Sequence, residues 1–203
     1  MTAQEHNREQ IILDAARKVF MEKGFDGATM QDIADEAGIN KSLLHYYYRS
    51  KDKLFRKVFL EMFKLFTPKF GEIFLSDKPI FEKIEDFAGH YIEMMIQNPQ
   101  MPAFVLREIT TNPQSLADAV LDTGVKPEFM VKAIKDEIDK GNIREIDPRQ
   151  LLVNLIGLCI FPFAAKPLLM RVLFGGNENA YSKFLQERKS EVPKFINQSI
   201  KKK

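Results

Sequence analysis

The sequence predicts an all-α protein in which an N-terminal unit of three short helices precedes a larger helical bundle. Three observations support this fold class. Apolar residues recur at every third or fourth position along most of the 203-residue chain, and glycine and proline fall where helices start or stop. No hairpin turn joins runs of alternating apolar and polar residues, as paired β-strands would require.

Four helices are predicted in the first third of the chain from their apolar faces and their end signals. Thr29, Asn40 and Ser50 are residue types that cap helix N-termini, and Gly24 and Gly38 are residue types that end helices. The helices are therefore expected over residues 11–23, 30–37, 41–48 and 51–66.

The rest of the chain is rich in phenylalanine and methionine and continues as helices. Pro68 is expected to end the fourth helix, because proline removes a backbone donor and clashes with the preceding turn. Pro193 is expected to kink or break the last helix for the same reason. The further helices are predicted over residues 79–97, 102–110, 127–140, 148–174 and 180–200.

The second and third predicted helices form a helix-turn-helix pattern. Gly38 allows the positive φ that a tight turn needs, and the small side chains of Ala34 and Ala37 allow two helices to cross closely. In such a unit the second of these helices enters the major groove of DNA. The pattern therefore predicts a DNA-binding unit near the N-terminus.

The charges near this pattern are segregated along the chain. Residues 26–40 contain four acids and no base, whereas residues 41–57 contain six bases and one acid. Tyr46 and Tyr47 add hydroxyl groups that can donate to phosphate oxygens. A local basic segment in a chain of net charge +2 is the pattern expected for phosphate contact at one surface.

Composition disfavours several other classes of protein. A single cysteine, Cys159, and three well-separated histidines argue against a disulfide framework and against a metal site. No cofactor-binding motif is found, so no cofactor is expected. The polar first ten residues lack the apolar core of a signal peptide, and the longest apolar stretch, 151–174, is interrupted by charges and prolines. A cytoplasmic protein with no membrane span is expected.

A gapless series of residues extends the helix-turn-helix pattern from Arg8 to Leu54. Its most specific segments are Val19-Phe20-x-x-Lys23-Gly24-Phe25, Ala28-Thr29-Met30-x-x-Ile33-Ala34-x-x-Ala37-Gly38-Ile39 and Tyr46-Tyr47-Tyr48-x-x-Lys51-x-x-Leu54. In this first quarter the chain resembles the DNA-binding domain of the TetR-type (TetR/AcrR) bacterial transcriptional regulators. The resemblance implies a sequence-specific DNA-binding regulator.

Carried over position by position, the resemblance also implies which residues contact DNA. His45 departs from the tyrosine usual in the family but can still donate to phosphate, and Leu43 replaces a small polar residue but can contact a thymine methyl group. The expected contact residues are Thr29, Gln31, Asn40, Lys41, Ser42, Leu43, His45, Tyr46, Tyr47 and Lys51.

The family resemblance further implies a homodimeric repressor of an inverted-repeat operator in double-stranded DNA, released by a small-molecule effector. Residues 1–50 are then the DNA-binding domain and 51–203 the ligand-binding and dimerisation domain, linked by the helix at about 51–66. Packing within one subunit is the alternative use of two apolar stripes that could form the dimer interface, namely Leu151, Leu152, Leu155, Ile156 and Cys159, and Tyr181, Phe184, Leu185, Phe195, Ile196 and Ile200.

Aromatic and methionine residues of the second domain are candidates for the wall of an effector pocket. Pockets for small molecules are mostly apolar with a few polar anchors, and His90 on an apolar helix is such an anchor, although a histidine of the core is the plainer interpretation. Aromatic richness favours a mostly hydrophobic ligand. The candidate pocket residues are Phe63, Phe66, Phe87, His90, Tyr91, Met94, Phe104, Met130 and Phe161.

Two alternatives of other classes are an enzyme built on the helical bundle and a non-specific DNA-architectural protein. The chain has no Ser-His-Asp spacing and no glycine-rich phosphate loop to support the enzyme. A packaging protein depends on many phosphate contacts, which a net charge of +2 does not favour.

Overall fold

The computed structural model describes residues 3–123 and 126–202, with side chains described from residue 6 onward. Helices make up 82% of the chain and the described residues contain no strand, so the all-α prediction is confirmed. The helices are α1 (Ala3–Gly27), α2 (Met30–Glu36), α3 (Lys41–Tyr47), α4 (Lys51–Leu75), α5 (Ile80–Gln97), α6 (Met101–Thr111), α7 (Pro113–Asp122), α8 (Pro127–Asp139), α9 (Pro148–Ala164), α10 (Lys166–Val172) and α11 (Glu178–Ile200).

The chain divides into two compact units. The head unit contains the chain up to Leu65 together with Ala103–Ala119, and the body unit contains Phe66–Pro102 and the chain from Val120 onward. The head unit therefore takes in most of α6 and α7, which lie far from the helix-turn-helix in sequence. The functional boundary after residue 50 stays a prediction.

Two features of α4, α6 and α7 were not expected from the sequence. Helix α4 continues through Pro68 to Leu75, so the prediction that Pro68 ends it is wrong. A proline inside a helix costs about 3 kcal/mol, and burial of Phe70 and Phe74 beyond it offsets about that amount. Helix α7 has no counterpart in the predicted elements, and it buries Leu116 and Ala119.

The helix predicted over residues 148–174 is two helices, α9 and α10, which meet at an angle of 70°. Pro162 causes the break, because it has no N–H to donate to the carbonyl of Leu158. The guanidinium of Arg188 donates to that carbonyl at 2.6 Å, and the hydroxyl of Tyr181 donates to the Pro162 carbonyl at 2.5 Å. Two side chains of α11 thus satisfy backbone groups that the break leaves unpaired.

Helix α5 is central in the body unit, where it packs against α8, α9 and α11. It buries an apolar face that includes Ile84, Ala88, Ile92 and Met95. Helix α11 runs without interruption across Pro193, which is itself buried, so the expected break is absent. Packing against α5 keeps the helix continuous despite the missing donor.

No single helix in the described ranges is long and apolar enough to cross a membrane. Helices α9 and α10 reach the required length and composition only when they are taken together, across their 70° bend.

Candidate nucleic-acid interface

The start of α2 is fixed by a reciprocal cap between Thr29 and Asp32. The Asp32 backbone N–H donates to Thr29 Oγ1 at 3.1 Å, and the Thr29 N–H donates to Asp32 Oδ2 at 2.8 Å. Lys23 adds a hydrogen bond to Asp32 Oδ1 at 2.7 Å. The bonds from Lys23 and Thr29 lower the pKa of Asp32 to about 2, so the cap is ionised at neutral pH.

The turn between α2 and α3 has the geometry that its glycine predicts. Gly38 has a φ of 65°, and every positive φ in the described chain belongs to a glycine. The Gly38 N–H donates to Asp35 O at 3.2 Å and the Ile39 N–H donates to Ala34 O at 3.0 Å, which is the hydrogen-bond pair of a Schellman motif. Ala34 is fully buried, as a close helix crossing requires.

Helix α3 presents one polar side to solvent. Asn40 caps it, since its Oδ1 accepts from the Leu43 N–H at 2.7 Å. Leu44 is completely buried and anchors the helix to the head unit, whereas Tyr46 on the outer side is 79% exposed. The side facing solvent therefore carries the residues that were predicted to meet DNA.

Most of the predicted contact residues lie at the surface of the head unit. Leu43 and Tyr47 are half-buried, and the ring of Tyr47 packs edge-on against Tyr46 at 5.6 Å. The amide of Gln31 donates to Asp35 at 2.7 Å, on the outside of α2. The exposed members of the predicted set are Thr29, Gln31, Asn40, Lys41, Ser42, His45 and Tyr46.

Lys51 differs from the rest of the predicted set, because its ammonium already has partners in the protein. It donates to the carbonyls of Phe25 at 2.7 Å and Ala28 at 2.9 Å, and it lies 4.4 Å from the centre of the Phe25 ring. Gly24, at a φ of 69°, ends the regular part of α1 and leaves such carbonyls to be satisfied. Lys51 thus ties the end of α1 to the start of α4, a role that sequence reasoning missed.

Helix α6 is held in the head unit by charges and rings. Arg56 donates from Nε to Glu108 Oε2 at 2.9 Å, and Arg107 pairs with Asp52. Phe104 is fully buried in the same unit, with its ring 5.2 Å from that of Phe59. These contacts of α6 with α4 were also not predicted from the sequence.

The predicted pocket residues do not form one group. Phe63 and Phe104 belong to the head unit, and Phe161 is 59% exposed on α9. Met94 and Met130 are buried in the body unit, and Phe66 is half-buried there.

Three predicted pocket residues do lie together in the body unit, around a ring that the prediction omitted. Phe70 lies 4.9 Å from the ring of Phe87, 5.2 Å from that of His90 and 5.6 Å from that of Tyr91. Phe70 follows Pro68, where the sequence was expected to leave the helix, and this is why it was overlooked. Among the described residues, no three His, Cys, Asp or Glu side chains are placed to hold a metal ion.

Comparison with known families identifies the helix-turn-helix. The family model described as "Bacterial regulatory proteins, tetR family" matches residues 12–58. The chain is 29% identical over 122 residues to the Staphylococcus epidermidis negative transcriptional regulator IcaR of the biofilm operon icaADBC, covering 57% of this chain and 66% of IcaR. It is 26% identical over 153 residues to the Escherichia coli HTH-type regulator RutR, covering 71% of this chain and 68% of RutR.

Solved structures extend the likeness over nearly the whole chain. A TetR/AcrR-family transcriptional regulator from Thermobifida fusca superposes with a TM-score of 0.68 at 18% identity, covering 93% of this chain and 97% of that one. Bacillus subtilis FadR, solved in complex with stearoyl-CoA, superposes with a TM-score of 0.65 at 16% identity and the same coverage. At these identities the likeness shows the fold, including the helical bundle that follows the helix-turn-helix.

Proposed function

Because this chain belongs to the tetR family of bacterial regulatory proteins, we propose that it is a dimeric repressor that a small effector releases from its operator. It is a sequence-specific DNA-binding transcriptional regulator with a helix-turn-helix. The operator is an inverted repeat in double-stranded DNA, because a two-fold dimer presents two identical heads.

One observation carries the DNA-binding part of the proposal, namely the outward face of α3. Lys41, Ser42 and His45 are exposed on a helix whose opposite side is anchored by the buried Leu44. A helix anchored in this way can insert its N-terminal residues into a major groove without unfolding the head. Asn40 is used as the cap through its oxygen, so its amide N–H groups are the part that can donate to a base.

The dimer is supported by an apolar surface on α9 and α10. Val153 and Phe161 on α9 are 66% and 59% exposed, and Leu168 and Val172 on α10 are 61% and 66% exposed. Exposed apolar residues in such number mark an interaction site in a protein that must stay dispersed in water. We assign this surface to the second copy of the chain, which presents the same residues across a two-fold axis.

These exposed residues correct the predicted dimer stripes. Leu151, Leu155 and Cys159 are at most 1% exposed, so that side of α9 packs inside the subunit. On α11, Tyr181 and Ile196 are likewise buried. Of the α9 stripe only Ile156 is classed with the exposed side chains, at 39%, and of the α11 stripe only Phe195, at 64%.

Effector release is supported by two helices that run from the body unit into the head unit along the chain. Helix α6 starts at Met101 in the body unit, and its later residues Arg107 and Glu108 pair with α4 in the head unit. A ligand that changes the position of α6 then changes the support of α4, which begins three residues after the helix-turn-helix ends. The aromatic cluster around Phe70 supports a mostly hydrophobic ligand in the body unit.

The experiment is a gel shift of the purified protein with the DNA that flanks its own gene, with random DNA of equal length as competitor. We expect the flanking DNA to be bound at least a hundredfold more tightly. Footprinting is expected to show two protected half-sites related by an inverted repeat. Equal affinity for both DNAs would instead favour a packaging protein, and an absence of binding to either would refute the proposal.

A further inference from the structure

A groove of about 370 Å³ lies in the body unit between the second half of α4 and α5. His90 of α5 lines it, and charged residues of α4, of the α4–α5 connection and of α5 form its walls. It differs in chemistry from the aromatic cluster proposed for a hydrophobic effector, because most of its side chains carry charge or a polar atom.

One atom of this groove lacks a partner. His90 Nε2 is buried and makes no hydrogen bond to the described protein. Buried polar atoms in folded proteins nearly always have a partner, so an orphaned one at a groove points to a group that arrives from outside.

The ring of His90 is held so that this nitrogen is an acceptor. Its other nitrogen bonds to the backbone of Phe66, and the ring meets Phe70 edge-on at 5.2 Å. Burial lowers the pKa of His90, so the ring is neutral at pH 7. A neutral ring that donates through one nitrogen presents a lone pair on the other, and Nε2 therefore requires a donor.

The groove walls offer both signs of charge in equal number. Lys69 pairs with Glu72 at 3.0 Å and Lys78 with Asp86 at 2.5 Å. All four side chains are at least 41% exposed, so these pairs are weak and can exchange partners with a ligand. Asp86 lies one helical turn before His90 on α5, which places a carboxylate on the same side as the orphaned acceptor.

We propose that this groove binds a small zwitterion of the amino-acid type, with its ammonium donating to His90 Nε2 and its carboxylate paired with Lys69 or Lys78. The ammonium supplies the missing donor and is attracted by Asp86. A ligand with both charges leaves the net charge of the walls balanced, whereas a simple amine or a simple acid would leave one sign in excess. The only aliphatic side chain of the groove is Ile73, which favours a zwitterion with a small side chain.

The test is isothermal titration of the full chain with the twenty common L-amino acids, followed for each binder by its amine and its carboxylic acid, which lack the carboxylate and the ammonium respectively. We expect at least one zwitterion to bind and both single-charge analogues to bind at least tenfold more weakly. The proposal is overturned if no amino acid binds, or if either analogue binds as tightly as its parent.

Variants then locate the binding. His90→Phe keeps a ring beside Phe70 but removes the acceptor, and a loss of at least tenfold is expected; His90→Gln restores an acceptor near Nε2 and is expected to recover most of it. Replacement of Lys69 and Lys78 by alanine is matched with replacement of Lys132 and Lys183, whose ion pairs lie outside the groove. Unchanged binding in His90→Phe, or equal losses in both lysine pairs, would overturn the proposal.

This proposal stands apart from the proposed repression, and the two are separated by measuring DNA binding on the same protein. A preparation that binds the zwitterion but no DNA refutes the proposed function and leaves the groove assignment intact. A preparation that binds its operator but no zwitterion does the reverse.

Discussion

Arg56 of α4 and Glu108 of α6 form an ion pair in which the carboxylate is almost completely buried. Nε of Arg56 lies 2.9 Å from Oε2 of Glu108, and the side chains are 30% and 4% exposed. The neighbouring pair of Arg107 with Asp52 has the opposite polarity, since there α6 supplies the cation. Two reciprocal pairs thus fix the position of α6 along α4.

Arg56→Ala is expected to destabilise the protein, because it leaves the Glu108 carboxylate buried without its cation. Removing one partner of a buried pair costs about 3 kcal/mol, measured here by urea unfolding. Lys57→Ala is the matched control, since Lys57 forms an exposed pair with Glu61 on the same helix. A double variant with Glu108→Gln should recover much of the loss. Equal stability of Arg56→Ala and Lys57→Ala would contradict the role of the pair.

Lys41 and Lys51 are expected to affect DNA binding in different ways. Lys41→Ala should weaken operator binding, lower the salt dependence by about one phosphate contact and leave stability unchanged, because Lys41 is exposed. Lys51→Met should lower the melting temperature, because it removes the donor to Phe25 and Ala28. Titration at several salt concentrations and thermal melting separate the two. Lys135→Ala, an exposed lysine of α8, serves as control for both.

The surface assigned to the dimer can be tested with one charge. Val153→Asp should yield monomers in light scattering, because a two-fold interface would bury the new carboxylate twice without a cation. Leu121→Asp places the same charge on another exposed apolar residue, 55% exposed on α7, and should leave the dimer intact. A monomeric Val153→Asp should also bind operator DNA more weakly. Dimers that persist in this variant would place the interface elsewhere.

The cap of α2 predicts a loss of stability in acid. The pKa of Asp32 is lowered to about 2 in the folded head, below its ordinary value near 4, so its carboxylate contributes stability above about pH 4. That contribution is lost as the pH falls through 2. The melting temperatures of the wild type and of Asp32→Asn should therefore differ at pH 6 and converge near pH 2. A difference that stays constant over this range would show that the ionised cap has no such role.

Tyr181 and Arg188 should stabilise the junction of α9 and α10. Tyr181→Phe removes the donor to the buried Pro162 carbonyl, which is expected to cost about 1–2 kcal/mol and lower the melting temperature by several degrees. Pro162→Ala restores a backbone donor for the Leu158 carbonyl, so the loss caused by Arg188→Met should be smaller in that background. Independent, additive losses would argue against this exchange of donors.

The sequence by itself determined the head up to the end of α3. Its caps, its turn and its helix crossing are made by residues close together in the chain, such as Thr29 with Asp32 and Gly38 with Ala34. Such local hydrogen bonds need particular residue types at fixed spacings, and those spacings can be read directly. The exposed residues of α3 follow from the same spacing, because the buried Leu44 fixes the rotation of the helix.

Only the tertiary structure decided which apolar side of α9 is inside the subunit. That helix is apolar around most of its circumference, so its periodicity does not distinguish the buried Leu155 from the exposed Val153. The partners of Lys51 and Glu108 were also undetermined, since the atoms they bind lie 23 to 52 residues away in the chain. Contacts of that kind depend on how helices pack, and no local rule of spacing contains them.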